Sequence, residues 1–135
     1  MTISTEALLI AIRRKLIGTS AVVALVKDRV HTAHFYDFDN GTIPMPCVII
    51  ELVGGSSNYA GSNQSSTLYI YSYSRESSAE ASAVYDALYL ALNAQKVSGN
   101  TLNGYAHETA RPISGYNPVA RSYFYRGSYQ VLTAG

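Results

Sequence analysis

The stretch TLYIYSYSRESSAEASAVYDALYLAL, residues 67–92, changes its period in the middle, and that change narrows the folds open to the chain. From residue 67 to 74 the pattern alternates, with Leu68, Ile70 and Ser72 on one side and Tyr69, Tyr71 and Tyr73 on the other, as in a β-strand. Ser77 and Glu80 then carry a capping-box signature. Val84, Leu88, Ala91 and Leu92 follow at i, i+4, i+7 and i+8, the apolar stripe of a helix over 78–92. That stripe is expected to cover the Leu68 and Ile70 face. Tyr85 and Tyr89, four apart on a neighbouring helix face, either flank the contact or face a partner.

The rest of the chain reads around this unit. Leu8, Ala11, Ile12 and Leu16 recur at helical spacing over 4–17, with Ser4 placed to cap, Glu6 in the first turn and Gly18 at the end. A short second helix is expected over 20–27. Residues 31–46 hold Asn40-Gly41 and two prolines and read as a loop with a short strand at its start. CVIIELV, 47–53, is nearly all apolar, which predicts a central strand covered on both faces. Gly, Ser and Asn dominate 54–66, which predicts a mobile loop between two antiparallel strands. One or two irregular strands are expected over 97–113, then a turn from Gly115 to Pro118 and a last strand over 120–132. In that strand Arg121, Tyr123, Tyr125, Tyr129 and Val131 share a face opposed by Phe124 and Leu132. Adjacent strands with segregated helices define an α+β fold in a single domain over 1–135, a mainly antiparallel or mixed sheet packed by helices on one face.

A chain of 135 residues suits one core. Ten basic and nine acidic side chains leave a net charge of +1, without the basic excess of a nonspecific nucleic-acid binder. Arg13, Arg14 and Lys15 sit at the expected end of the first helix, where cations suit the dipole. The one cysteine, Cys47, lies in an apolar run and reads as a small buried hydrophobe in a reducing compartment. The run ALLIAI is too short to span a bilayer, and its basic cluster follows it. Synthesis and retention in the cytoplasm, without membrane contact, are expected.

Chemistry is hard to assemble from these residues. DFDNG at 37–41 resembles the start of a calcium loop, but its glycine comes one position early, and Val48 stands where a bidentate Glu is required. His31 and His34 have no Cys or carboxylate pair nearby to complete a tetrahedral set. No nucleophile elbow, Cys-His motif or phosphate-binding glycine loop is present. His107 and Glu108 are adjacent on an expected strand and so point to opposite faces. No catalytic residue, metal ligand or cofactor is therefore assigned.

The tyrosines remain: twelve, with no tryptophan. Tyrosine joins a rigid apolar body to a polar tip, which suits an intermittently wet contact. Tyr59, Tyr69, Tyr71, Tyr73, Tyr123 and Tyr125 are the candidates for an interface with another subunit or a partner protein. The plainer alternative is that the tyrosine face packs under the first helix.

Taken together, the first two helices, RVHTAHFYD, the strand in PMPCVIIEL, the strand and helix of 67–92 and the closing ARSYFYRGSYQVL resemble the tail-completion, or tail-terminator, proteins of long-tailed bacteriophages over nearly the whole chain. The resemblance implies a small α+β subunit of the virion, without enzymatic activity. It would form a six-membered ring on the last ring of the tail tube, stop tube growth and present a surface to the head connector or stopper protein. Its partners would be further copies of itself, the tail tube protein and the connector, and DNA would pass through the ring without being gripped. Assembly would take place in the host cytoplasm. Another neck component, such as a head-completion or stopper protein, is the nearest alternative; a small ligand-binding α+β domain is one from a different class.

Overall fold

The computed structural model describes residues 5–32, 44–57, 63–98 and 103–134. Ser4, His34, the DFDNG segment and Tyr59 lie outside them. The elements run α1 (Thr5–Ile17), α2 (Ser20–Val26), β1 (Val30–His31), β2 (Cys47–Ser57), β3 (Asn63–Ser74), α3 (Ser78–Leu92), β4 (Gln95–Ser98), β5 (Asn103–Asn117) and β6 (Ser122–Ala134). The strands form a six-stranded sheet in the order β1-β2-β3-β6-β5-β4, antiparallel except for the β1–β2 pair. This is the expected mixed α+β architecture.

All three helices pack on one face of the sheet. Their buried residues, among them Leu8, Ile12 and Leu16 of α1, Val22 and Val26 of α2, and Val84, Leu88 and Leu92 of α3, join Val48, Ile50, Leu68, Ile70, Tyr129 and Val131 in one core. α1 touches both β1 and β4, the two edge strands, so the sheet curls around the helices. The stripe of α3 meets Leu68 and Ile70 as its period requires. Its start is capped by one arm of the expected box. Glu80 N donates to Ser77 Oγ at 3.0 Å, while the Glu80 carboxylate accepts instead from Ser74 Oγ at 2.7 Å. Ser74, the last residue of β3, thereby ties strand to helix across the turn.

The structure corrects two boundaries. Residues 54–57 and 63–66 are paired strands and not loop: β2 continues to Ser57 after a bulge at Leu52/Gly54, and β3 starts at Asn63. Low strand propensity is overridden because β3 is also hydrogen-bonded along β6, from Asn63 opposite Ala134. Gly55 is needed for this pairing, since a Cβ there would lie 2.2 Å from Ser65 O. Second, Gly115 belongs to β5, opposite Phe124, and the turn falls at 118–121, where Asn117 Oδ1 accepts from Val119 N and Ala120 N. A Cβ on Gly115 would meet the Phe124 ring at 2.7 Å, so the glycine makes room for an aromatic ring and not for a bend. Pro112 sits within β5 where the register shifts between Ala110 and Ile113, beyond the stretch paired with β4, a position in which a missing N–H costs no ladder bond on the outer side.

Under the helices lies a polar cluster. Tyr85 is buried and its hydroxyl donates to Glu108 Oε2 at 2.6 Å, with Tyr129 Oη 3.0 Å away. Asn93 Oδ1 accepts from Glu108 N, Asn93 Nδ2 donates to Tyr89 Oη, and Arg111 closes the outer side on Glu108 Oε1 at 2.9 Å while lying over the Tyr89 ring. The two helix tyrosines therefore flank the core contact, Tyr85 inside it and Tyr89 at its border. Glu108 faces α3, while His107 projects to the other side of β5 opposite Gln130.

This burial has a pH consequence. Burial, then the Glu108 hydrogen bond, holds the Tyr85 hydroxyl above its ordinary value of 10.0, and burial does the same for Tyr129. Burial pushes the Cys47 thiol from 9.0 up to about 12, against a smaller pull from Arg29 and Arg75. In all three the folded chain keeps a proton that the unfolded chain releases first. Their contribution is complete below the unfolded values and falls as pH rises past them. Urea midpoints should be level between pH 7 and 9 and then decline, at first through Cys47 and more steeply above pH 10, by about 1.4 kcal/mol per pH unit for each group. Unchanged midpoints up to pH 11 would show that the three groups ionise freely in the fold.

Candidate interaction surface

The face of the sheet opposite the helices carries the tyrosine alternation of β3. In the antiparallel register Ile49, Tyr71 and Arg126 lie side by side, as do Cys47, Tyr73 and Phe124, and as do Glu51, Tyr69 and Ser128. Antiparallel partners share a face, and these alternate with residues of the helix-side core. The tyrosine face thus does not pack under α1, which lies on the other side.

A small second cluster occupies one end of this face: Cys47, Ile49, Tyr73 and Ala120, with Met45, Tyr71 and Phe124 packed against it. Tyr71 and Tyr73 stack with ring centroids 5.6 Å apart, and Phe124 stands 6.2 and 5.8 Å from them. Tyr73 is only 3 % exposed, which removes it from any surface the folded chain presents. Tyr69 and Tyr71 are half-buried. The Arg126 guanidinium lies 4.4 Å over the Tyr69 ring, and Tyr71 Oη approaches Glu51 Oε1 at 3.5 Å. Burial, reinforced by Glu51, raises the Tyr71 phenol above its ordinary range, so the hydroxyl is protonated and able to donate at neutral pH. Farther along the same face Tyr105 and Leu132 stand opposite each other, 59 and 50 % exposed.

The five candidate tyrosines among the described residues do not form one surface. Tyr69, Tyr71 and Tyr73 come together on the helix-free side. Tyr125 pairs with Ser72 on the helix side and packs against the main core, and Tyr123 meets Tyr116 edge-on at 5.0 Å. Alternation along each strand was legible, but the register that joins the strands was not. Phe124, Arg126, Tyr105 and Tyr116 were missed for this reason, although opposition of Phe124 and Leu132 to Tyr129 was the available signal.

The arrangement offers aromatic bodies, hydroxyl tips and one cation on a strand-built surface, the chemistry of a protein contact. Among the described residues no three of His, Cys, Asp and Glu converge to hold a metal ion, and no helix is long and apolar enough to cross a membrane. His31 lies on β1, where burial and the neighbouring Arg13 keep its imidazole below the usual value.

The fold defines the chain as an α+β protein with a helix-backed, curled sheet. No family model matches it, and no curated protein matches its sequence. Among solved structures, a chain in the virion of a native gene transfer agent particle shares the fold, with a TM-score of 0.72 over 96 % of both chains and 17 % identity.

Proposed function

We propose that this chain is a structural protein of a phage-like virion, and within that class a tail terminator that forms a ring at the head-proximal end of the tail tube. The observation that carries the first part is the fold shared with a virion chain from end to end, 96 % of each. The second part rests on the order and spacing of elements that resemble the tail-completion family. In this reading the ring is built from six copies, ends tube growth on the last ring of tube protein, and presents its other side to the connector or stopper. The half-exposed Tyr69 and Tyr71, with Arg126 and Glu51, belong to a surface that meets a neighbouring protein. A near-neutral chain lines a passage through which DNA moves without being held.

The test is electron microscopy of negatively stained tails assembled with and without the protein. Tails lacking it should be of uneven length and fail to join heads, and addition of the purified chain during assembly should restore a uniform length. Uniform tails that merely fail to join heads would reject termination and assign the chain to another position in the neck.

A further inference from the structure

Two segments of the chain each carry charge of one sign. Between residues 76 and 94 stand Glu76, Glu80 and Asp86 with no lysine or arginine. Between 109 and 126 stand Arg111, Arg121 and Arg126 with no acid; Arg111 is paired with Glu108 and Arg126 lies over Tyr69, so Arg121 is the charge that the turn presents. Each run also bares apolar side chains. The solvent side of α3 presents Asp86 and, one turn on, Leu90, which is 75 % exposed. The turn after β5 presents Val119, 61 % exposed, beside Arg121, while Ile113 lies farther back on β5 opposite Arg126. Among the described residues this part of β5 pairs only with β6, which leaves its outer edge without a strand partner there. Asp86 and Arg121 form no ion pair within the chain among the described residues.

We infer that these two surfaces meet between neighbouring copies: the outer edge of β5 with the 118–121 turn of one subunit lies on the solvent face of α3 in the next. The inference rests on the ring reading above and assigns its lateral contact. Opposite charge selects this pairing, and the self-pairings, helix on helix or edge on edge, bring like charges together. Because the surfaces differ, the contact is heterologous and propagates by rotation, as a closed ring requires. Leu90 supplies the apolar anchor, and Val119, beside Arg121 in the turn, receives it.

A charge-reversal cycle on the full chain tests this, read by sedimentation and native mass spectrometry at low salt. Asp86→Arg and Arg121→Asp should each weaken self-association about tenfold or more, and the two together in one chain should restore most of it, because every contact then carries the reversed pair. Leu90→Ser should weaken association with no change in melting temperature, which separates lost contact from lost folding. Additive weakening in the double variant, or association indifferent to all three changes, overturns the inference. A wild-type chain that stays monomeric at millimolar concentration yet still sets tail length overturns it while leaving the terminator reading intact. The reverse, association that follows the cycle in a protein without effect on tail length, keeps the contact and rejects termination.

Discussion

Gly127→Val should destabilise the fold by about 2.5 to 6 kcal/mol, enough to unfold much of the protein at physiological temperature. Gly127 lies in the middle of β6, opposite Ile70, and the Tyr85 ring passes directly over it. A Cβ at this position would sit 1.8 Å from Tyr85 Oη and 2.6 Å from its Cζ. A tyrosine tip on a surface could swing away, but this one is buried and held between Glu108 and Tyr129. Displacing it strains the core, at about 1 to 3 kcal/mol, and strips a buried carboxylate of a hydrogen bond worth about 1.5 to 3 kcal/mol. Urea unfolding measures the loss. The same substitution in a Tyr85→Phe background should cost distinctly less, since the clashing oxygen and its bonds are already gone; strictly additive costs would show that β6 moves and the ring does not.

Leu88→Ala should cost about 2 to 5 kcal/mol, because Leu88 is fully buried where α3 meets the sheet and its loss leaves a cavity. Tyr71→Ala is the informative comparison. Its ring stacks on Tyr73 and contacts Phe124, so truncation should cost about 1 to 2 kcal/mol, less than Leu88→Ala but not zero. The exposed half of the ring is the part available to a partner. Tyr71→Ala should therefore lower ring formation or tail termination by more than its melting temperature accounts for, whereas Leu88→Ala should lower both in step. Equal effects of the two variants on melting would place Tyr71 wholly within the chain's own second cluster.

The pattern of residues 67–92 was legible because a period of two and a stripe at helical spacing report a local geometry, and both persist in β3 and α3. The same holds for α1 and for the four residues from Cys47 to Ile50, covered on both faces. Polar low-propensity segments misled for an equally physical reason. Residues 54–57 and 63–66 become strands through ladders made on both sides of β3, and Gly115 is a strand residue because an aromatic ring lies against it. Neither cause has a local signature.

The candidate surface divides along the same line. That Tyr69, Tyr71 and Tyr73 oppose Leu68 and Ile70 followed from the sequence alone, since side chains alternate along any strand. Which of these tyrosines remain at the surface was decided by register and curl. Pairing Tyr73 with Phe124 and folding the Ala120 turn onto it buries that ring, and pairing Ser72 with Tyr125 sends Tyr125 to the helix side. The polar cluster of Tyr85, Glu108, Tyr129 and Arg111 is likewise tertiary, because its members come from three elements and meet only when Gly127 lets a ring pass. Local periodicity thus set the elements and their inward faces, whereas contacts between residues far apart in the chain, such as Tyr73 with Phe124 and Ser72 with Tyr125, decided what the outward faces can offer.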